Sequence, residues 1–229
     1  MDKSIRNKYI ICFSIIAALL VIDQWVKIWI KSNFAIGDGI DLIGDWCKLY
    51  FVENEGIAFG ISFGSDFGKL LLSIFRLLAS IVIFIFLIKK IRKDARISLL
   101  VSISLIFVGA IGNMVDSCFY GLIFNESTPE QVATLFPEEG GYGKFLYGKV
   151  VDMFYFPIVE WTWPEWMPWI GGDHAEFFNA IFNVADSAVC TGVALLIIDQ
   201  FKNDKKEKVE TTETESDNTG VDENASKEV

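Results

Sequence analysis

FFNAIFNVADSAVCTGVALLII, residues 177–198, decides how the chain is read. Its 22 residues are long and apolar enough to cross a bilayer as a helix, which takes roughly 20. Yet the run carries Asp186, with Asn179 and Asn183 before it. An ionised carboxylate in hydrocarbon costs about 2.5–3.5 kcal/mol on insertion scales. On a helix the three polar residues are spaced i, i+4, i+7 and share one face. Such a face predicts contact with other protein rather than with lipid.

The rest of the chain supports a membrane setting. Its 229 residues are 52% hydrophobic with a mean hydropathy of +0.38, more apolar than an ordinary soluble domain. Apolar segments at about 9–30, 70–88 and 97–116 join 177–198 to predict four membrane helices. The first follows Lys3, Arg6 and Lys8 as a signal peptide would, but it runs into DQWVK without a small-x-small cleavage site, so it reads as an uncleaved span. Residues 1–202 therefore form a four-helix membrane domain, and 203–229 a polar tail. The tail holds nine acids against four lysines, half of the net charge of −10. Too poor in apolar residues to offset its ordering entropy, it is expected to be disordered and dispensable. No basic face for nucleic acid is present. Four cysteines without C-x-x-C spacing and a single histidine, His174, exclude an ordinary zinc site. A Cys47–Cys118 disulfide is open on the outer side, with free thiols the favoured state.

Basic residues orient the bundle. Lys3, Arg6 and Lys8 precede the first span, KKIRKDAR (89–96) links the second and third, and Lys202, Lys205, Lys206 and Lys208 follow the fourth. By the positive-inside bias both termini and the second loop are cytoplasmic, so 31–69 and 117–176 face outward. Trp161, Trp163, Trp166 and Trp169 suit the outer headgroup level, where they would meet membrane lipids.

In that frame the polar residues share a depth. Asp186 lies roughly 13 Å and Asp23 roughly 10 Å from the outer ends of their spans, at 1.5 Å per residue. Asn113 and Asp116 close the third span at its outer edge, and Arg76 sits about six residues into the second. Asn113 and Asp116 share a face at i, i+3, and Asp23 and Lys27 can pair at i, i+4. Gly109 and Gly112 would let the third helix approach a neighbour closely. Plainer readings stand beside these. Asp23–Lys27 also reads as a structural ion pair, Arg76 as snorkelling to headgroups, and Asn113 and Asn183 as interhelical hydrogen-bond glue.

Asp186 needs a partner to do chemistry. GKVVDMFYFPI (148–158) offers Asp152 in an apolar setting that would raise its pKa, and a second carboxylate nearby would force the two to share a proton. One then acts as base on a water while the protonated one polarises a scissile carbonyl. Ser187 has no base predicted beside it, His174 stands alone in a loop, and metallopeptidase motifs are absent.

Five stretches in order resemble the bacterial lipoprotein signal peptidases, also called signal peptidase II: VIDQWVK (21–27), FVENEGIAFGI (51–61), VGAIGNMVDS (108–117), GKVVDMFYF (148–156) and FNVADSAV (182–189). The resemblance implies an aspartic endopeptidase that cuts diacylglyceryl-modified prolipoproteins just before the lipidated cysteine. It implies a multi-pass protein of the bacterial inner membrane, with its site toward the outer face, open to globomycin-type cyclic peptide inhibitors. It implies Asp152 and Asp186 as the catalytic dyad. Asn54, Gly56, Asn113, Asp116, Asn183 and Ala185 would shape the site, supported by Asp23, Lys27 and Arg76. No metal or other cofactor follows. An outward β-sheet cradle is expected within 40–64, where strand-like residues surround a glycine turn. The family's third motif usually ends in Asp-Arg, whereas Ser117 follows Asp116 here, so Arg76 or Lys149 would have to replace the arginine. Residues 124–149 and 159–176 extend the third loop without an assigned role.

Two rival readings follow from the same residues. A transporter or proton channel would also use membrane carboxylates, but usually near the midplane and between repeats, and no repeat is visible. A non-enzymatic scaffold would explain the tryptophans but not the converging acids.

Overall fold

The computed structural model describes residues 2–55, 66–177 and 179–203. Four of its helices are long and apolar enough to cross a membrane. Helix α1 spans Lys3–Asn33, α2 Asp66–Arg92 and α3 Ile97–Val115. The third helix continues through a π-helical turn, Asp116–Tyr120, into the short α4, Gly121–Ile123. Helix α5 spans Val184–Asn203. Gly56 and the 56–64 part of the expected cradle lie outside the described residues, as does the tail beyond Asn203.

Local chemistry sets the helix ends. The Asp2 carboxylate accepts from the Ser4 N–H at 3.3 Å and caps α1, while Lys89, Lys90 and Arg92 place positive charge at the negative end of α2. The turn between α2 and α3 is tied down on both sides. Lys8 pairs with Asp94 at 2.8 Å, and Arg96 pairs with Asp199 of α5 at 3.0 Å. Within the bundle Cys12, Ile16, Leu87, Ile91, Leu100, Ile103, Val108 and Ala188 form one buried apolar cluster. All four cysteines are unpaired.

Beside the helices stands a four-stranded antiparallel sheet in the order β1-β2-β3-β6. Its strands are β1 Gly39–Ile43, β2 Cys47–Asn54, β3 Val150–Tyr155 and β6 Ile181–Phe182. The cradle thus begins where expected but takes β3 from the third loop and β6 from the stretch expected to open the fourth span. A separate hairpin pairs β4, Val159–Thr162, with β5, His174–Phe177. At its tip Trp166 and Trp169 are 79% and 99% exposed.

Two expectations about the spans need correction. The fourth helix starts at Val184, not 177, because Ile181 and Phe182 pair with Tyr155 and Phe154 and hold the chain extended. Asn179, exposed and ahead of the helix, therefore shares no helical face with Asn183 and Asp186. The third span does not close at Asp116 but runs on to Ile123. The carboxylates consequently lie in different places from those expected. Asp186 sits within the first turn of α5, and Asp116 opens the π-turn inside a longer helix.

Close helix approach is real at Gly109. A methyl added there would meet the Ala185 carbonyl at 2.5 Å and collide with the Val189 side chain. Alanine gains about 1 kcal/mol of helix propensity over glycine, but overpacking against backbone costs about 1–3 kcal/mol. Gly109→Ala is accordingly expected to lower stability in detergent, read as a lower denaturant midpoint. A raised midpoint would show that α3 and α5 can part without cost.

Candidate active site

The Lys27 ammonium is fully buried between two carboxylates, at 3.1 Å from Asp23 Oδ2 and 2.8 Å from Asp116 Oδ2. Its third contact is a hydrogen bond to Asn113 Oδ1 at 2.8 Å. Gln24 ties the same carboxylates together, donating to Asp23 Oδ2 at 3.1 Å and Asp116 Oδ1 at 2.9 Å. Buried charges persist only when their remaining hydrogen-bonding capacity is used. Here the spare capacity reaches α5 and the sheet. Asp23 Oδ1 accepts from the Ala185 N–H at 2.9 Å, and Asp116 Oδ2 accepts from the Val151 N–H at 3.3 Å. The first contact holds the start of α5, the second holds β3.

Asp186 is placed by a reciprocal helix cap. Asn183 precedes α5, and its Oδ1 accepts from the Asp186 N–H at 2.9 Å while Asp186 Oδ2 accepts from the Asn183 N–H at 3.2 Å. Asp186 Oδ1 accepts from Asn113 Nδ2 at 2.8 Å. Asn183 also faces the other way. Its Nδ2 donates to Asp152 Oδ1 at 2.6 Å, to Asn113 Oδ1 at 3.0 Å and to the Val151 carbonyl at 3.3 Å. One asparagine therefore bridges Asp186 and Asp152.

Asp152 sits on β3, 4% exposed, opposite Val52 of β2. Burial, followed by the negative charge of Asp186, pushes its pKa up to about 7, against hydrogen bonds from Asn183 and Asn54 that favour the ionised form. The strong burial matches the apolar setting in which the sequence places Asp152. Strand β3 lies in the middle of the sheet, and its residues 150–153 are all buried.

The remaining predicted residues divide clearly. Asn54, Asn113, Asp116, Asn183, Ala185, Asp23 and Lys27 all join the network. Arg76 on α2 is half-buried and within electrostatic reach of Asp186, Asp152 and Asp116. Lys149 does not turn to the dyad; it pairs with Glu126 at 3.3 Å, Glu55 at 3.7 Å and Glu53 at 3.8 Å. Ser117 is buried and donates to the Asn113 carbonyl at 3.1 Å. The Ser187 hydroxyl donates to the Asn183 carbonyl at 3.0 Å, and His174 belongs to the separate hairpin. Gln24 and Tyr120, whose hydroxyl donates to Gln24 Oε1 at 3.2 Å, were not anticipated. Gln24 stands inside VIDQWVK, and its place beside Asp23 was the available signal.

Known proteins resemble this chain along most of its length. Residues 15–202 match the family model described as signal peptidase (SPase) II. The chain is similar to a lipoprotein signal peptidase of Porphyromonas gingivalis, 42% identical over 81% of this chain and 80% of that protein. A lipoprotein signal peptidase of Amoebophilus asiaticus is 35% identical over 89% and 85%, and one of Staphylococcus aureus 30% identical over 89% and 98%. A solved structure of a bacterial membrane enzyme matches with a TM-score of 0.56 at 27% identity, covering 85% of this chain and 90% of that one.

Two outcomes follow from the buried charges. Lys27→Met leaves Asp23 and Asp116 without their cation and is expected to cost about 3–5 kcal/mol in denaturant unfolding. Asp152 has a raised folded pKa, so its favourable contribution is complete below the ordinary carboxylate range and is lost as pH rises through about 7. At 1.36 kcal/mol per unit, Asp152→Asn is expected to be more stable than the parent at pH 8 by up to about 4 kcal/mol, and no more stable at pH 4. Equal melting temperatures at pH 8 would contradict the burial of an ionisable Asp152.

Proposed function

The chain belongs to the signal peptidase II family, and we propose that Asp152 and Asp186 are the dyad with which it removes signal peptides from lipoprotein precursors. It is a multi-pass bacterial membrane protein and an aspartic endopeptidase. One observation carries the assignment: Asn183 bonds both carboxylates at once, Asp152 at 2.6 Å through its side chain and Asp186 through the helix cap. Two acids held this way, one of them titrating near neutrality, suit a shared proton.

Asp152 is the member that carries the proton. Burial and the Asp186 charge both favour its neutral form. Asp186 accepts hydrogen bonds at both oxygens, which leaves it the acceptor for a water proton. In the proposed step that water attacks the scissile carbonyl carbon and gives a proton to Asp186. Asp152 gives its proton to the carbonyl oxygen, forming a neutral tetrahedral diol. Collapse of the diol returns a proton to Asp152, and Asp186 delivers its own to the departing amine nitrogen. The C–N bond breaks, and both carboxyl groups regain their starting states.

The substrate is proposed to be a diacylglyceryl-modified prolipoprotein cut before its lipidated cysteine. Its signal helix and acyl chains let it enter sideways from the bilayer. Lys and Arg near 3–8, 89–96 and 202–208 support cytoplasmic termini and an outward-facing site. Asn54 steadies Asp152, Arg76 supplies positive charge near the dyad in place of the arginine missing at Ser117, and the exposed Trp166 and Trp169 lie against outer-leaflet lipid. Globomycin-type cyclic peptides are the proposed inhibitors of the same cleft.

The test is cleavage of a lipidated prolipoprotein by purified protein. Asp152→Asn and Asp186→Asn are each expected to lose at least about a thousandfold in kcat while remaining folded. The parent is expected to show a bell-shaped pH–rate profile whose alkaline limb is centred at about pH 7, as Asp152 loses its proton. Cleavage by either variant at the parental rate overturns the assignment. Arg76→Ala is expected to lose activity, while full activity would remove Arg76 from the site.

A further inference from the structure

Behind the dyad lies a second buried cluster of charges that the chemistry does not use. Glu53 of β2 is its hub, with its side chain 3% exposed. Its carboxylate is ion-paired to the fully buried Lys31 of α1 and accepts from Ser127 Oγ at 3.2 Å. Lys31 donates to the same Ser127 hydroxyl at 2.7 Å. Lys149 approaches Glu53 Oε2 at 3.8 Å. The Tyr142 ring lies between the two cations, 5.2 Å from Lys31 Nζ and 5.7 Å from Lys149 Nζ, and its hydroxyl accepts from the Lys149 N–H at 2.7 Å. Ser127, Tyr142 and Lys149 all come from the 124–149 segment, which extends the third loop. Around them Phe51, Phe124, Ala133, Val151 and Met153 form an apolar cluster.

The position of Glu53 is what gives the cluster meaning. Strand β2 pairs with β3 through Leu49↔Phe154 and then Val52↔Asp152, so three steps of β2 stand against two of β3. This bulge breaks the apolar alternation that would otherwise fix register across the strand. A slip of one residue would turn Asp152 to the opposite face. Glu53↔Val151 follows the reset directly, and Glu53 is the first residue past the bulge with charged partners on both α1 and the 124–149 segment. One side of the β2–β3 pair therefore carries Asp152 and its partner Asn54, and the other carries Glu53 and its cations. Stability alone does not account for such a cluster. Buried ion pairs replaced by apolar residues of similar volume are often neutral or more stable, whereas fixing one register among several is a use that polar groups serve well.

We propose that Glu53, gripped by Lys31, Ser127 and Lys149, is a positioning residue for the cleavage reaction, locking β2 to β3 so that Asn54 and Asp152 are held in the dyad. The 124–149 segment acts as the clamp that supplies two of the three grips. The inference rests on Asp152 being a member of the dyad, so the experiment must separate the two.

Full-length protein is purified in detergent and assayed on a lipidated prolipoprotein, with rates expressed per folded molecule. Glu53→Ala is expected to lower kcat by about tenfold to a hundredfold, the range for misplacement by a residue remote from the chemistry, with KM nearly unchanged. Glu53→Gln keeps an acceptor for Ser127 and Lys31 and is expected to recover most of that loss. Parental kcat and an unaltered pH–rate profile in Glu53→Ala overturn the proposal. If Glu53→Ala does not fold, Lys149→Met removes one grip while leaving the Lys31–Glu53 pair, and a severalfold loss of kcat is expected. Parental kcat in that variant overturns the proposal equally. Asp152→Asn run in parallel identifies the other failure. If it cuts at the parental rate, the dyad is wrong and the inference falls with it; if it is inactive while the Glu53 and Lys149 variants are unimpaired, the positioning role alone is wrong.

Discussion

An ammonium group has three hydrogens, and inside this bundle Lys27 gives one each to Asp23, Asp116 and Asn113. The placement of both candidate acids depends on that arrangement. Without the cation, two carboxylates would stand in a membrane interior with no compensating charge. With it, each acid retains a free acceptor, and those acceptors catch the first turn of α5 and the middle of β3. The site is therefore built outward from two carboxylates that share one cation. Asn113 passes the arrangement on to Asp186, and Asn183 passes it on to Asp152. Gly112 belongs to the same construction, since a side chain there would press on Asp23 Oδ2 and the Ala185 methyl at 2.9 Å.

The depth of the carboxylates bears on the chemistry. A helix beginning at 177 would have put Asp186 more than two turns inside it. Beginning at Val184, the helix holds Asp186 in its first turn. Hydrolysis needs a water and a surrounding dry enough to raise one carboxyl pKa. The other acid lies on β3, so one comes from a strand and the other from a helix end. Lys27 links that helix end to that strand through Asp23 and Asp116, and so bears on the spacing of the two candidate acids.

Most of the site was legible because its chemistry is expensive. Asp23, Lys27, Asn113, Asp116, Asn183 and Asp186 stand out in apolar runs, where every polar residue needs a reason. The four spans were legible for the same cause. What was hidden was any competition between two structures for the same residues. FFNAIF reads as helix by composition, and nothing local announces that Phe182 stacks on Phe156 with ring centres 5.5 Å apart and leaves the chain extended. The π-turn at Asp116 was equally silent, since the helix continues on both sides of it. Its visible trace is Gly148, where a side chain would run into the Asp116 carbonyl and whose N–H instead reaches the Ser117 carbonyl at 2.9 Å. Glu53 and Lys149 looked like ordinary charges beside a motif because their partners are brought by residues distant in sequence.

Strand β6 is two residues long and stands at the edge of its sheet. It is nevertheless what stops α5 from winding outward through a stretch whose composition favours helix. Were those two residues to join the helix, Asn183 would become an interior residue and its side chain would no longer cap anything. Asp186 would keep its place in the sequence but lose the N–H that fixes it, and Asp152 would lose the 2.6 Å hydrogen bond from Asn183. The assembly of the candidate site thus hangs on a boundary between two secondary structures, held by Phe182 and Ile181 against β3. Substitutions at this boundary would shift the balance between the two structures without touching either acid.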